Sequence, residues 1–209
     1  MMPARAMQEE QAVVKQQLRR RLRANRDSLA PDLRRQKSLA VAALARPRLA
    51  AAQIVGVYCP MRSELDPGYV IDDLRARGCI IAYPRMLPNK MVLEFARIDA
   101  DEQLVEGSFQ VFEPASGAAA LDLHSIDTFL VPGLSFDSLG NRLGWGKGYY
   151  DYTLAQNTRA LRVGLCFQEQ IATSLPCDAT DQTMDWIVTD KEAFAGRARD
   201  RGNDPKVPS

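Results

Sequence analysis

The chain contains 209 residues, of which 46% are hydrophobic and 25% are charged, and its formal net charge is +1. A chain of this length can bury a core without disulfides or a structural metal, so we expect one domain over residues 9–195, with disordered ends at 1–8 and 196–209. One histidine and four widely spaced cysteines argue against a multi-histidine metal site and a disulfide framework, which leaves Lys, Arg, Asp, Glu and Tyr to carry any chemistry.

Two basic helices are predicted at the start of the chain. Apolar residues recur every four positions over residues 9–26 and indicate an amphipathic helix, and a second helix is expected over 30–49. Residues 1–48 contain twelve Lys and Arg against four Asp and Glu. Such a cluster can bind a nucleic-acid backbone, but no nucleic-acid-binding motif accompanies it, so a solvated helix face explains most of these arginines.

Strands alternate with helices through the rest of the chain. Apolar runs predict strands at residues 53–58, 79–83, 91–98, 126–131, 161–167 and 186–188, helical spacing predicts helices at 67–77 and 148–155, and residues 99–120 are expected to be rich in loops. This alternation is typical of an α/β fold in which helices cover both faces of a mostly parallel sheet. Ligands of such sheets bind beyond the carboxyl ends of the strands, where Glu64, Asp178 and Asp181 are expected to lie.

The most informative segment is residues 140–151, with the sequence GNRLGWGKGYYD, which closely follows a predicted buried strand. Its three glycines at alternate positions allow backbone N–H groups to converge on phosphate oxygens. Arg142 and Lys147 add positive charge, and a helix that begins after Gly148 would add the partial charge of its N-terminus. The composition therefore predicts an anion-binding turn.

The two best-known glycine motifs do not fit this segment. A P-loop requires glycine where Asn141 stands and Ser or Thr where Gly148 stands. The dinucleotide-binding fingerprint requires glycine at one of two positions that hold Tyr149 and Asp151. The turn must therefore belong to another kind of anion site.

Residues 132–151, with the sequence PGLSFDSLGNRLGWGKGYYD, resemble the signature of the 5-formyltetrahydrofolate cyclo-ligase family nearly throughout. Supporting elements, in the family's order, are Lys15-x-x-Leu18-Arg19, Tyr58-x-Pro60-x-x-x-Glu64, Glu113-Pro114 and Leu175-Pro176 leading to Asp181. The resemblance covers about residues 12–190. It implies a three-layer α/β/α sandwich with a mostly parallel sheet, similar to that of sugar-phosphate isomerases and CoA transferases.

The resemblance also implies an ATP- and Mg²⁺-dependent ligase that forms a carbon–nitrogen bond. Members of the family convert 5-formyltetrahydrofolate to 5,10-methenyltetrahydrofolate and release ADP and phosphate. The γ-phosphoryl group of ATP would pass to the formyl oxygen, and N10 of the folate would then attack the activated carbon. ATP is required because an amide oxygen is a poor leaving group.

Roles for individual residues follow from the same resemblance. Lys15 and Arg19 would contact ATP from one face of the first helix. The remaining ATP-binding residues would be Arg142, Leu143, Gly144, Gly146, Lys147 and Gly148. Arg142 and Lys147 would act in catalysis by offsetting the charge that builds in the transition state. Asp151 and Asp181 would bind Mg²⁺, because hard carboxylate oxygens suit this ion.

For the folate, the resemblance implies contacts from Glu64, Trp145, Tyr149, Tyr150 and Phe109. The expected partner is a small molecule, 5-formyltetrahydrofolate with one or several glutamates, and no nucleic-acid or membrane partner is expected. The protein is expected to be a monomer or a weak dimer. Because no apolar run approaches the length of a membrane span or a secretory signal, we expect a soluble, cytoplasmic protein.

Two other functions stay open at this point. A sugar-phosphate isomerase on a similar fold would use a carboxylate and a lysine for proton transfer, and it would leave Lys15 and Arg19 without a purpose. A non-catalytic binder of folate or nucleotide is the other alternative, although every charged position expected for turnover is filled.

Overall fold

The computed structural model of the protein describes the backbone of residues 4–100, 104–107 and 111–196, and the side chains of the same ranges from residue 12 onward. The helices are α1 (Ala4–Asp27), α2 (Pro31–Ala45), α3 (Gly68–Ala76) and α4 (Tyr149–Gln156). The strands are β1 (Ile54–Gly56), β2 (Ile80–Arg85), β3 (Glu94–Arg97), β4 (Leu104–Glu106), β5 (Phe112–Pro114), β6 (Thr128–Val131), β7 (Ser135–Asp137), β8 (Arg142–Leu143), β9 (Leu161–Leu165), β10 (Ile171–Ala172), β11 (Trp186–Val188) and β12 (Ala193–Ala195).

The main sheet has seven strands in the order β12-β11-β9-β6-β1-β2-β3. The five inner strands run parallel to one another, and β3 and β12 are antiparallel strands at the two edges. Strand β1, helix α3 and strand β2 form the predicted βαβ unit. The predicted α/β fold with a mostly parallel sheet is confirmed.

Strand β6 shows why the central strands are apolar throughout. Leu130 packs in a cluster with Val41 of α2 and Leu74 of α3, whereas Phe129 and Val131 pack in a second cluster with Leu154 of α4. Successive side chains of a strand point to opposite faces, so a strand covered on both faces needs an unbroken apolar run. The sheet is therefore the middle of three layers.

Helix α1 lies outside these two clusters. It packs through Leu22 against Leu143 of β8 and Leu175, in a third and much smaller cluster. Strand β8 belongs to a separate three-stranded sheet with the order β10-β7-β8. Although α1 is the longest helix, neither it nor any other described helix is long and apolar enough to cross a membrane.

Several short elements were not predicted from the sequence, namely β4, β5, β7, β8, β10 and β12. These strands have two or three residues each, which is too short for a recognisable period. The helix predicted over 30–49 ends earlier, at Ala45, and a 3₁₀ turn follows over Arg46–Leu49. Pro47 explains the change because it lacks the N–H that an α-helical bond requires. Helix α1 begins at Ala4, before the predicted domain start at residue 9; the far C-terminal segment, 197–209, lies outside the described residues.

Gly56 of β1 leaves room for two aromatic rings of the core. A Cβ atom at this position would lie 2.6 Å from Phe129 Cδ1 and 3.0 Å from Phe95 Cε1, and these rings pack edge to face. We expect Gly56→Ala to lower the free energy of unfolding by about 1–3 kcal/mol, because overpacking displaces the rings. Gly117→Ala is the control, since a Cβ there meets no atom within 4 Å. Urea unfolding measures the stability of both variants. Equal midpoints for the two would contradict the close packing of the aromatic rings against Gly56.

A buried ion pair joins α2 to the sheet. Lys37 Nζ lies 2.7 Å from Asp190 Oδ2 and 2.9 Å from Glu169 Oε1. Burial by itself raises the pKa of Asp190, but Lys37 and the N–H of Gln168 outweigh it and hold this pKa below its ordinary value. The carboxylate therefore stabilises the fold above the unfolded-state pKa, and this contribution is lost as the pH falls through the lower folded-state pKa.

We expect Asp190→Asn to lower the free energy of unfolding by about 1–3 kcal/mol at neutral pH. The difference from the parent should close as the pH falls below about 4, because Asp190 is then being protonated in the parent as well. Asp99→Asn removes the partner of Arg97 in an exposed pair and should change stability by less than about 1 kcal/mol. Denaturant unfolding at several pH values measures the free energy of unfolding of each variant. A difference between Asp190→Asn and the parent that persists undiminished in acid would refute a stabilising role for the Asp190 carboxylate.

Candidate active site

A cleft of about 1280 Å³ lies beyond the carboxyl ends of the central strands. Its walls come from the loop after β1, the end of β2, the residue that follows β6, the segment from β8 into α4, and residues 177–181. Helix α1 forms one side with Lys15, Arg19 and Arg23. The cleft therefore occupies the place where parallel α/β sheets bind their ligands.

The glycine-rich segment takes a left-handed backbone at Gly146 and Gly148, with φ of +92° and +77°. Gly148 immediately precedes α4, so its conformation sets the direction in which this helix leaves the segment. Arg19 of α1 donates from Nε to the carbonyl oxygen of Gly144 at 2.9 Å. A Cβ atom at Gly146 would lie 3.0 Å from Arg19 Cζ, so the backbone conformation and the approach of the arginine both require glycine here.

Arg142 has an almost fully buried side chain beside the cleft. Its Nη2 donates to Asp151 Oδ1 at 2.9 Å, and its guanidinium lies 5.7 Å from the centre of the Tyr150 ring. Asp151 Oδ1 also accepts from the backbone N–H of Gln182 at 3.1 Å. Nε of Arg142 has no hydrogen-bond partner within the described chain, which leaves one donor of this guanidinium unsatisfied.

Lys15 connects α1 to an acidic loop. Its Nζ lies 2.6 Å from Oδ2 of Asp178 and 2.6 Å from Oδ2 of Asp181. Burial by itself lowers the pKa of Lys15, but the two carboxylates outweigh it and raise this pKa above its ordinary value, so the ammonium stays charged. Each aspartate that was predicted to bind metal is thus paired with a cation that was predicted to bind ATP: Asp181 with Lys15, and Asp151 with Arg142.

Glu64 lies in the loop after β1 and is 8% exposed. Its Oε2 accepts from the backbone N–H of Met61 at 2.9 Å, and its Oε1 accepts from Trp145 Nε1 at 2.8 Å. Arg26 Nη1 lies 3.5 Å from the same Oε1. Burial is the largest influence and raises the pKa of Glu64, although these three contacts each oppose it. A buried carboxyl with a raised pKa beside a cleft is a frequent feature of binding and catalytic sites.

Trp145 lies against two arginines of α1. Cζ of Arg23 is 5.6 Å and Cζ of Arg26 is 5.4 Å from the ring centroid. Arg26 is 1% exposed and also donates from Nε to Ser63 Oγ at 3.1 Å. Both contacts differ from the expectation that most arginines of this helix lie on a solvated face. The signal was present, because the spacing of Arg19, Arg23 and Arg26 places them on one side of a helix.

The cleft brings the predicted site residues together. Those that line it are Lys15, Arg19, Glu64, Arg142, Leu143, Gly144, Trp145, Gly146, Lys147, Gly148, Tyr149, Tyr150, Asp151 and Asp181. Phe109 lies outside the described residues. The shared location of these residues is observed, whereas the role of each one stays a prediction.

Comparison with known proteins shows the family of the chain. The model of the 5-formyltetrahydrofolate cyclo-ligase family matches residues 11–190. The chain belongs to this family. Membership places it among enzymes of the ligase class and confirms the resemblance inferred from the glycine-rich segment.

Individual relatives of the family are similar over most of their length. The chain is 29% identical to the 5-formyltetrahydrofolate cyclo-ligase of Mus musculus, with 82% of this chain and 89% of the relative covered. It is 30% identical to that of Saccharomyces cerevisiae, with 83% and 94% covered. The NMR structure of Aquifex aeolicus 5,10-methenyltetrahydrofolate synthetase matches with a TM-score of 0.77 and 28% identity, covering 93% of this chain and 97% of that one.

Trp145→Phe tests the contact between the indole and Glu64. The phenyl ring retains packing against the arginines but removes the N–H donor, so we expect the free energy of unfolding at pH 7 to fall by about 1–2 kcal/mol. The raised pKa of Glu64 stabilises the fold fully below the unfolded-state pKa, near 4.3, and this contribution is lost as the pH rises through the folded-state pKa. Loss of the indole donor raises the folded-state pKa of Glu64 further. The loss of stability relative to the parent should therefore be larger at pH 7 than at pH 4.

Trp186→Phe is the matched control for this prediction. The ring of Trp186 packs against Arg48, whose Cζ is 3.9 Å from its centre. Its replacement should therefore change stability without this pH dependence. Denaturant unfolding followed by circular dichroism measures both variants, and the same pH dependence in the two would rule out Glu64 as its source.

Proposed function

We propose that the protein converts 5-formyltetrahydrofolate to 5,10-methenyltetrahydrofolate, using ATP and Mg²⁺ and releasing ADP and phosphate. The observation that carries the proposal is one cleft lined by six Lys and Arg and three Asp side chains, at which the buried Glu64 accepts a hydrogen bond from Trp145. Family membership supplies the reaction class. The cleft has a wall suited to each of the two substrates.

The wall formed by α1 and the glycine-rich segment suits a triphosphate. Lys15 and Arg19 reach it from the helix, and Arg142 and Lys147 reach it from the segment. Several phosphate charges would be offset by these cations and by backbone N–H groups. Lys147 is exposed and forms no ion pair with any described residue, so it can meet a phosphate without breaking an existing contact.

The acidic side chains fit Mg²⁺ held between protein and nucleotide. Asp151 and Asp181 both line the cleft, and the described residues contain no group of three or more His, Cys, Asp or Glu that could hold a metal alone. Mg²⁺ commonly binds through one or two carboxylates, with phosphates and waters completing its shell. Bound there, the ion would neutralise charge on the phosphates during transfer.

The remaining wall suits a flat heterocycle. The rest of the cleft lining includes the largely apolar side chains of Tyr58, Met61, Met86, Leu93 and Val111. Glu64 supplies a carboxylate at this wall, and its oxygens can accept from the N–H groups of a pterin. An apolar pocket with few polar groups is the usual form of a site for such a ligand.

The chemistry requires two bond exchanges. The bond from the γ-phosphorus to ADP breaks as a bond to the formyl oxygen forms, which turns that oxygen into part of a good leaving group. N10 then bonds to the formyl carbon and loses its proton, and phosphate leaves with the electrons of the carbon–oxygen bond. Arg142 and Lys147 would offset charge on the transferring phosphoryl group, so the cleft contributes chiefly position and charge.

The alternatives predicted from the sequence are weaker. No observed contact favours proton transfer in a sugar phosphate. Nucleic-acid binding through α1 would rest chiefly on the exposed Arg20 and Arg21, because Arg19 contacts the glycine-rich segment and Arg26 is buried. A binder without turnover differs from the proposal in one measurable property, the formation of product.

The deciding assay follows the absorbance of 5,10-methenyltetrahydrofolate with 5-formyltetrahydrofolate, ATP and Mg²⁺ present and with each omitted in turn. A rise that requires all three supports the proposal. Binding of both substrates without any rise would instead support the non-catalytic alternative. ATP consumption without folate would point to a different phosphoryl acceptor.

Lys147→Ala tests the phosphate wall. We expect kcat to fall by about 10²- to 10³-fold, because a cation that acts on the transition-state charge is lost. The fold should be unaffected, since Lys147 is exposed. Lys191→Ala is the control, because Lys191 is equally exposed and does not line the cleft. Parent-like turnover by the first variant would remove Lys147 from the proposed mechanism.

A further inference from the structure

Arg26 is a buried charge that fold stability alone does not explain. It is among the largest fully buried side chains, and its Nη2 has no hydrogen-bond partner in the described part of the chain. A buried ion pair is costly to desolvate, and apolar residues of similar volume often stabilise a fold as well or better. Its neighbours Glu64 and Trp145 line the cleft and are therefore the place to look for its purpose.

Arg26 is the cation that contacts Glu64. The other titratable groups that act on either partner are Asp27, Tyr58 and Tyr150. Asp27 pairs with Arg23 and accepts a hydrogen bond from the Ser63 hydroxyl, so its carboxylate is engaged by groups other than Arg26 and Glu64. Burial raises the pKa of both tyrosines above its ordinary value, so neither carries charge at neutral pH.

We propose that Arg26 is a positioning residue for folate binding: it contacts the Glu64 carboxylate, favours its ionised form and fixes it against the Trp145 indole. Arg26 does not line the cleft, so it acts through these two side chains, which do. Oε1 of Glu64 accepts a hydrogen bond from Trp145 Nε1 and lies beside Arg26 Nη1. Oε2 accepts a hydrogen bond from the backbone N–H of Met61. The carboxylate is thereby oriented before a ligand arrives. The identity of the ligand, 5-formyltetrahydrofolate, rests on the function proposed above.

Arg23 provides an internal comparison. It lies at nearly the same distance from the Trp145 ring as Arg26, 5.6 Å against 5.4 Å. Arg23 is 40% exposed and pairs with Asp27, whereas Arg26 pairs with Glu64. Removal of either arginine takes a cation from the indole, but only removal of Arg26 takes the cation from the carboxylate.

The first experiment needs no substrate. In a Trp186→Phe background Trp145 is the only tryptophan, and its fluorescence reports the ionisation of Glu64 because the two side chains share a hydrogen bond. Adding Glu64→Gln should abolish the pH transition and so identify it. Adding Arg26→Met should move the midpoint to higher pH by about one unit, since an opposite charge at this distance is lost. Arg23→Met should leave the midpoint within about 0.3 unit, because an exposed charge that does not touch the carboxylate is largely screened.

Arg26→Lys keeps the charge but loses the donor to Ser63, so its midpoint should lie between those of the parent and Arg26→Met. If Arg26→Met does not fold, the midpoint of Arg26→Lys alone tests whether Arg26 acts on Glu64. A parent-like midpoint in every folded Arg26 variant overturns the proposal. So does an equal shift in the Arg23 and Arg26 variants, which would reflect only their shared contact with the indole.

The second experiment measures substrate affinity. We expect Arg26→Met, or Arg26→Lys to a smaller degree, to raise the KM for 5-formyltetrahydrofolate about tenfold, the effect of losing one charge-assisted hydrogen bond to the ligand. The KM for ATP should change less than twofold, because Arg26 does not reach the phosphate wall. A lower free energy of unfolding with both KM values unchanged would show a merely structural role. Absence of turnover in the parent would refute the proposed function, while the fluorescence titration would still test the link between Arg26 and Glu64.

Discussion

Polar contacts hold α1 in place, and the site depends on them. Lys15 binds the acidic loop, Arg19 binds the glycine-rich segment, and Arg26 binds the loop after β1. The apolar cluster that supports the helix is small, centred on Leu22 with Leu143. The position of α1 and the arrangement of the site are therefore set by the same interactions, and neither can change without the other.

Opposite charges are balanced within the cleft. Asp181 and Asp151, the predicted metal-binding residues, pair with Lys15 and Arg142, the predicted nucleotide-binding cations. A buried charge without a partner costs more free energy than a paired one, so the pairing lowers the cost of keeping these charges in the cleft. Under the proposed function, phosphates and a metal ion would exchange with these pairs, so that each charge finds a new partner as the nucleotide binds.

The two walls of the cleft are joined through single side chains. Trp145 belongs to the glycine-rich segment but donates to Glu64 of the opposite loop. Under the proposed function, this contact would help to hold a folate and a nucleotide in one fixed relation, which a reaction between them requires.

The sequence by itself determined the class of fold and the family, because these depend on local patterns. Strands such as β6 are recognisable when both faces are buried, and three alternate glycines beside two cations predict an anion-binding turn. Every predicted site residue within the described chain proved to line one cleft.

Tertiary structure decided what contacts what. The charge of Arg26 looks like that of any surface arginine in the sequence, and only the fold places it against Glu64 and Trp145. The pairing of Lys15 with Asp178 and Asp181 likewise joins residues far apart in the chain. Burial and long-range pairing depend on how distant elements pack, and no local pattern of residues contains that information.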